Sequence, residues 1–332
     1  MTISLDDRKI RPTNLMKKWS KLHEKDWLQL SKGKLIITTC PACNSRKFEL
    51  KFSKLNFNFV ECKHCHTLFV NPRPNEQTLA NYYSSSKTVA FWDKIYKETK
   101  EVRKKWIFES RINLVKKILR NYGLNHCNTL VEVGPGHGWF CELAKKHAIA
   151  KRIIAIEPSP TSASACRKIQ GIEVIESTIE KSTDNLVSDV ITSFEIVCLL
   201  FSPKSFLESC YKGLKSGGIL IISLTNYFGF DIQILQADSD IMVPNILNFF
   251  NPHSIKLLLE KVGFKKVQVI TPGLLDVKIV LNKIKSGEIM GKNHPPFFKL
   301  LLENEMEKFI DDFQMILQKH NLSSHMVVSA QK

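Results

Sequence analysis

The chain has 332 residues, 43% hydrophobic and 24% charged, an ordinary balance for a folded globular protein; its length predicts a main domain of about 200 residues with a smaller companion. No apolar run approaches the roughly 18 residues that cross a bilayer, and Met1 to Asn14 lack a signal peptide's apolar core, so a transmembrane or secreted class is not expected and a cytoplasmic one is. The net charge of +16 is lopsided: residues 1–120 hold 26 Lys/Arg against 11 Asp/Glu, the remainder 22 against 21.

That basic excess suits a nucleic acid, an anionic glycan or nucleotide-linked substrate, or a membrane surface; lysine-rich solvated helix faces account for it equally well. In chain order, residues 14–30 place Leu15, Trp19, Leu22, Trp27 and Leu30 among lysines and predict an amphipathic helix. Cys40, Cys43, Cys62 and Cys65 then form two C-x2-C pairs separated by 18 residues, the spacing of a four-thiolate zinc site on two knuckles. Phe48 to Phe52 and Phe57 to Val60 alternate as short strands between them, which makes a zinc ribbon with almost no core of its own. A redox dithiol, or His64 or His66 replacing a thiolate, are the competing readings. The other five of the nine cysteines are scattered and suit a reducing compartment better than a disulfide framework.

Asn71-Pro72-Arg73-Pro74 ends the ribbon, Glu76 to Tyr83 reads as a short helix, and Ser84-Ser85-Ser86 as a flexible break. Residues 91–121 carry apolar residues at helical spacing, one long or broken helix. From Leu130 the pattern becomes strand, glycine turn, helix, with Gly134, Gly136 and Gly138 at alternate positions. Such glycines bring backbone against a ligand, and the helix that follows offers free N–H groups. A dinucleotide turn needs a small third residue, but that position is Trp139, which argues against a pyrophosphate. Ile153 to Ile156 read as a second strand ending at Glu157, placed to bind a ribose diol. Glu132, Glu157 and Glu195 put three carboxylates near one crevice, which suits a ligand with positive charge and no phosphate.

Val131 to Gly138 resembles the first motif of class I S-adenosylmethionine-dependent methyltransferases, and Glu157 their ribose-binding acid. Asp189 to Glu195 resembles their fourth-strand motif and Leu214 to Ile221 their "L-x-x-G-G" entry to strand five. The resemblance implies an α/β fold: a Rossmann-like, seven-stranded, mostly parallel sheet in three αβα layers with an antiparallel last strand, beside the N-terminal ribbon. It implies a cofactor site at Glu132, Gly134, Pro135, Gly136, Gly138, Glu157, Pro158, Phe194 and Glu195, with Ser177, Thr178 and Ile179 around the adenine. The ribbon, "N-P-R-P" and the Tyr82-Tyr83 helix resemble a bacterial subgroup associated with sugar and surface-polysaccharide modification. Relatives read "E-V-I-E-H-L" where Glu195-Ile196-Val197-Cys198-Leu199-Leu200 stands, so no base role attached to that histidine carries over.

Thr225 to Asn251 reads as a long irregular stretch forming the acceptor wall, with Asn226, Tyr227 and His253, and Tyr82 from the linker, as polar candidates. Pro252 to Val262 reads as a helix ended by Gly263, 264–270 as strand six, 281–298 as an insertion, Glu303 to Lys319 as a helix and His325 to Ala330 as the closing strand. The expected division is 1–35 extension, 36–74 ribbon, 75–122 helical linker and 123–332 methyltransferase domain. The expected function is methyl transfer from S-adenosylmethionine to a small-molecule acceptor, a sugar or nucleotide-linked sugar, with one structural zinc. RNA methylation by a phosphate-gripping ribbon, and a non-catalytic zinc-bearing binding protein, are the alternatives.

Overall fold

A computed structural model describes residues 7–184, 186–287, 296–304 and 306–332. Three strands form the ribbon: β1 (Phe48–Lys54), β2 (Phe57–Cys62) and β3 (Leu68–Val70). The β-branched runs that follow become β4 (Cys127–Val133), β5 (Ala150–Ile156), β6 (Glu173–Ile175), β7 (Ser188–Phe194) and β8 (Leu214–Thr225). After β9 (Asn248–Phe249) come β10 (Lys265–Ile270) and β11 (His325–Gln331). Seven of these make one sheet in the order β10-β11-β8-β7-β4-β5-β6, with β11 antiparallel to both its neighbours.

Successive residues of the central strands alternate between two cores, which is the strand period made visible. Val131, Ile154, Ile191 and Ile222 pack on one face with Phe206, Leu207, Leu258 and Leu259. Leu130, Ile153, Val190 and Ile221 pack on the other with Ile112, Val115, Phe140 and Leu143. Helices therefore cover both faces, as a largely parallel sheet requires. The expected seven-stranded, three-layer architecture is what the chain adopts.

The ribbon is not the coreless module its length suggests. β9 pairs antiparallel with β3, Asn248 opposite Phe69 and Phe249 opposite Leu68, so the ribbon sheet takes its fourth strand from the methyltransferase region of the chain. Phe57, Phe59, Leu68 and Val70 share a core with Ile232, Met242, Leu247 and Phe249. Trp27, on helix α1 (Thr13–Leu30), closes that core from outside with no exposed surface. Full burial of each large side chain contributes about 1.5–3 kcal/mol, so the ribbon is held by apolar packing as well as by its cysteines.

The connection between ribbon and large sheet is more ordered than expected. Helix α2 (Glu76–Ser85) gives way to α3 (Lys87–Glu98) at Ser86, whose hydroxyl accepts the Thr88 and Val89 N–H groups and donates to Asp26 at 2.6 Å. The three serines are thus a helix end and the next cap rather than a flexible break. The apolar stretch to residue 121 is broken, with a π-helical turn at Lys104–Phe108 before α4 (Glu109–Asn121). Helix α5 (Trp139–Lys146) follows β4 and α6 (Pro160–Arg167) follows β5. The stretch expected to be irregular contains α7 (Phe230–Leu235) as well as β9, and leads to α8 (Pro252–Val262), which Gly263 ends with φ +116°. Of the expected insertion, 288–295 lie outside the described residues; the flanks belong to α9 (Asp276–Lys285) and a helix at Pro296–Glu303.

Glu132, near the end of β4, is buried and accepts the Thr192 hydroxyl across the sheet. Burial outweighs that bond and pushes its carboxyl up to about 8. A folded-state value above the unfolded one means the native state holds the proton more tightly, so stability falls as pH climbs through the window from the ordinary glutamate range to about 8. Glu132→Gln cannot ionise. Relative to the wild type it should gain about 1–3 kcal/mol between pH 5 and pH 9, read as a Tm difference that widens with pH; a difference constant across that range would show Glu132 charged in the fold.

Candidate functional site

The turn after β4 uses its three glycines differently. All have positive φ: +74° at Gly134, +57° at Gly136 and +73° at Gly138. A Cβ on Gly134 would lie 2.8 Å from the Ile196 side chain, and one on Gly138 would lie 2.7 Å from Ile169, so these two serve close packing. A Cβ on Gly136 would meet no described atom within 4 Å. It would project into open space, where only backbone now borders the crevice.

Glu157 is locked to that same residue. Its Oε2 accepts the Gly136 N–H at 3.1 Å and its Oε1 accepts the Ser159 N–H at 2.9 Å. Burial raises its pKa while these two N–H groups oppose the rise. A carboxylate offers about four acceptor positions, so two remain for a diol. Pro135 is buried within the turn, and Pro158 is exposed at its rim. Of the residues expected around an adenine, Ser177 and Thr178 are half-buried, and Ile179 is buried in the core. Glu132 lies beneath the turn, largely protonated, so two rather than three carboxylates offer charge to a cation.

The second acid is Glu195, immediately beyond β7 and held at φ +62°. It accepts the Ser223 hydroxyl at 2.6 Å, lies 3.2 Å from His325 Nε2, and is 3.8 Å from an Arg111 nitrogen. Burial opposes its ionisation, but His325, Arg111 and Ser223 prevail and hold the carboxyl down to about 2. Arg111, from α4, also lies over the Phe194 ring at 4.8 Å and the Phe108 ring at 5.2 Å. Neither Arg111 nor His325 stands out in the sequence: one belongs to a helix known only by its apolar spacing, the other opens a strand. The available signal was the antiparallel direction of β11, which places its first residue at the carboxyl ends of the parallel strands.

Helix α3 covers the glycine turn. Asp93 Oδ1 lies 2.8 Å from His137 Nε2, and Tyr96 stacks on Trp139 with ring centres 5.9 Å apart. His137 packs against the same indole at 4.9 Å and lies 6.4 Å from the Tyr96 ring, so the three rings form one cluster. The bulky third position of the turn is thus occupied by an aromatic stack that fastens α3 above it.

The acceptor candidates divide. Tyr82 is buried edge-on to Trp27, its phenol pushed up to about 12 by burial, and Asn226 is buried with its amide bonded to the Asn321 and Ser323 carbonyls and the Phe228 N–H. Both side chains are taken up by contacts inside the protein. Tyr227 donates to Glu61 of the ribbon at 3.0 Å, and His253 is exposed on the first turn of α8.

The four ribbon cysteines converge, with all sulfurs within 4.8 Å of one another. Cys40 lies 3.5 Å from Cys65 and Cys43 3.5 Å from Cys62. A zinc–sulfur tetrahedron has edges of about 3.8 Å, so the arrangement fits that metal. Asn44 and His66, both with positive φ, close the two knuckles in parallel ways. The histidines stay outside: His66 Nδ1 is bonded to Glu61 at 2.8 Å and His64 is exposed. Asn251, capping α8, donates to the Cys65 and His66 carbonyls at 2.9 and 3.0 Å and so docks the second knuckle on the main domain.

Residues 102–269 match a family model described as a methyltransferase domain. No curated protein matches the chain. Among solved structures, a SAM-dependent methyltransferase of Thermotoga maritima is 19% identical, with a TM-score of 0.47 over 73% of this chain and 97% of its own. One from Archaeoglobus fulgidus is 22% identical, with a TM-score of 0.45 over 67% and 94%. Phosphoethanolamine N-methyltransferase 2 of Haemonchus contortus, solved with S-adenosyl-L-methionine, is 14% identical, with a TM-score of 0.50 over 83% and 64%. Of the three, the last reaches a TM-score of 0.50, and at 14% identity its likeness speaks to the fold alone. With half of its length matched by the family model, the chain belongs to the methyltransferase-domain family, as a class I S-adenosylmethionine-dependent methyltransferase.

Proposed function

We infer that the chain methylates a small molecule, a sugar or nucleotide-linked sugar, with S-adenosylmethionine seated on the Gly134–Gly138 turn and the zinc ribbon forming a section of the acceptor wall. The observation that carries the reading is the bare Gly136 backbone with Glu157 anchored to it, one open approach beside one diol-binding acid. When bound, the cofactor supplies an electrophilic methyl carbon on a sulfonium. Glu157 would hold the ribose, Gly136 would let the nucleoside lie against the backbone, and α3 would screen the turn from water. Holding acceptor and methyl carbon in line is worth roughly 7–11 kcal/mol in reactions of this kind.

The ribbon supports a small acceptor better than RNA. Phe57, Phe59 and Phe69 are buried and offer no face to a base, whereas single-strand binding rests on exposed stacking rings. The ribbon's link to the Cys198–Leu200 loop is direct: Leu247 N–H donates to the Cys198 carbonyl, and the Asn248 amide donates to the Leu200 carbonyl at 2.8 Å. The four cysteines would hold one structural zinc, closed to water, that fixes the two knuckles.

Calorimetry should show the wild type binding S-adenosylhomocysteine. Glu157→Ala should weaken that binding at least tenfold, since each charge-assisted bond contributes roughly 1.5–3 kcal/mol. Gly136→Val should abolish it and also lower Tm, because a β-branched residue at φ +57° is strained; unaltered affinity in both variants would sink the cofactor site. Isolated protein should carry close to one zinc per chain. Cys62→Ser should lose the metal and expose Trp27 along with the ribbon, because they share one core; a metal-free protein with native Trp27 fluorescence would count against the zinc. Labelled cofactor with nucleotide-linked sugars on one side and transfer RNA on the other discriminates the acceptors.

A further inference from the structure

Methyl transfer to a hydroxyl needs a group to take its proton, and the family's usual histidine position holds Leu199. We propose that His325 is that proton acceptor and that Glu195 is its positioning residue, an inference that rests on the methyltransferase reading above. The two meet at the carboxyl edge of the sheet, where open α/β folds bind their ligands. Glu195 follows the last residue of β7, and His325 stands opposite Thr225 at the end of β8. His325 Nε2 is 3.2 Å from Glu195 Oε1. An Nε2–H turned to the carboxylate at that 3.2 Å ion-pair contact would leave the lone pair on Nδ1, and among the described residues nothing bonds Nδ1. Carboxylate, imidazole and open second nitrogen are the components of an oriented base.

The carboxylate is well prepared for that role. Ser223 and Arg111 secure it, and its depressed pKa keeps it charged at every working pH. Its left-handed backbone, uncommon for a residue with a long side chain, turns it from the strand towards β11. The other paired histidines are placed differently. His137 is wedged between Asp93 and Trp139 under α3, His147 pairs with Glu109 at the far end of α5, and His66 belongs to a cysteine knuckle. Charged neighbours of His325 are Glu195 and Arg111 on the crevice side and, behind Ser323 and Ser324, the buried Asp276 with Asp231.

The step balances without further reactants. The acceptor O–H bond breaks and its proton passes to His325 Nδ1. The oxygen's electron pair would form the C–O bond as the C–S bond of the bound cofactor broke, the C–S bonding pair staying on the sulfur of S-adenosylhomocysteine. The imidazolium then returns the proton to solvent through its half-exposed edge.

Two measurements test this, the first needing no acceptor. In protein labelled with nitrogen-15 at histidine and saturated with S-adenosylhomocysteine, His325 should show a protonated Nε2 and an unprotonated Nδ1, and Glu195→Leu, which offers no acceptor, should reduce that preference. The opposite tautomer, or one indifferent to Glu195→Leu, overturns the proposal. In the second, labelled cofactor and a panel of nucleotide-linked sugars are given to the wild type, His325→Asn and His325→Ala. His325→Asn should keep its affinity for S-adenosylhomocysteine within threefold, lose roughly 10²–10⁴-fold in transfer, and lose the acid limb of the pH–rate profile. Imidazole should restore some of the rate to His325→Ala. Transfer at the wild-type rate and pH profile in His325→Asn, or a loss matched by lost affinity, overturns the base role. A wild type that binds S-adenosylhomocysteine but methylates none of the sugars refutes the acceptor class and leaves the dyad to the tautomer measurement; one that binds no S-adenosylhomocysteine refutes the cofactor site itself.

Discussion

The pairing of β9 with β3 is the contact on which the rest of the molecule's arrangement depends. Two residues, Asn248 and Phe249, extend the ribbon sheet into the methyltransferase region, beside the Asn251 and Tyr227 contacts that also tie the two together. Their side chains work in both directions. Phe249 enters the aromatic core around Trp27 and Phe59, while the Asn248 amide accepts from Arg73 at 3.0 Å and donates to the Cys198–Leu200 loop. Arg73 is itself buried, its charge met by Thr38 and Asn248 and by the ring of Phe201. A polar join of this kind fixes orientation where apolar packing alone would tolerate sliding. The cysteine knuckles are then held at a set distance from the carboxyl edge of the large sheet.

At that edge the chain separates binding from packing at the level of single atoms. Gly134 and Gly138 let strand and helix close on each other, and Gly136 alone leaves the crevice open. The acids divide likewise. Glu132 has sunk into the sheet and holds its proton, Glu157 is fastened to the turn, and Glu195 is kept ionised by its neighbours. Three residues of one chemical type occupy three electrostatic states because desolvation, backbone donors and cations act on them in different proportions.

Much of this was legible in the residues because the signals are local. The buried runs around Ile154 and Ile191 could only be strands of a covered sheet, and three alternate glycines after Val133 marked a turn that approaches a ligand. What was not legible depends on partners far away in the chain. Nothing in Asn248-Phe249 announces a strand, since two residues carry no period; the pairing exists because β3 offers an edge. Asn226 looked like a free polar group and is consumed by carbonyls almost 100 residues later, at Asn321 and Ser323. Ser84 to Ser86 looked like a break because a cap and a loop use the same residue types. Arg111 and His325 acquire meaning only when the fold brings α4 and β11 to Glu195.

The aromatic ladder that climbs away from the glycine turn has an optical consequence. Trp139 stacks on Tyr96, Tyr96 meets Trp92 at 5.7 Å, and Trp92 meets Trp19 of α1 at 5.2 Å. With His23 joining Trp19 to Trp27, four of the five tryptophans form a chain of neighbouring rings that ends on the residue beside Gly138. A ligand seated on the turn would therefore lie at the foot of a column of indoles, where intrinsic emission, with no attached dye, is the natural place to look for its arrival.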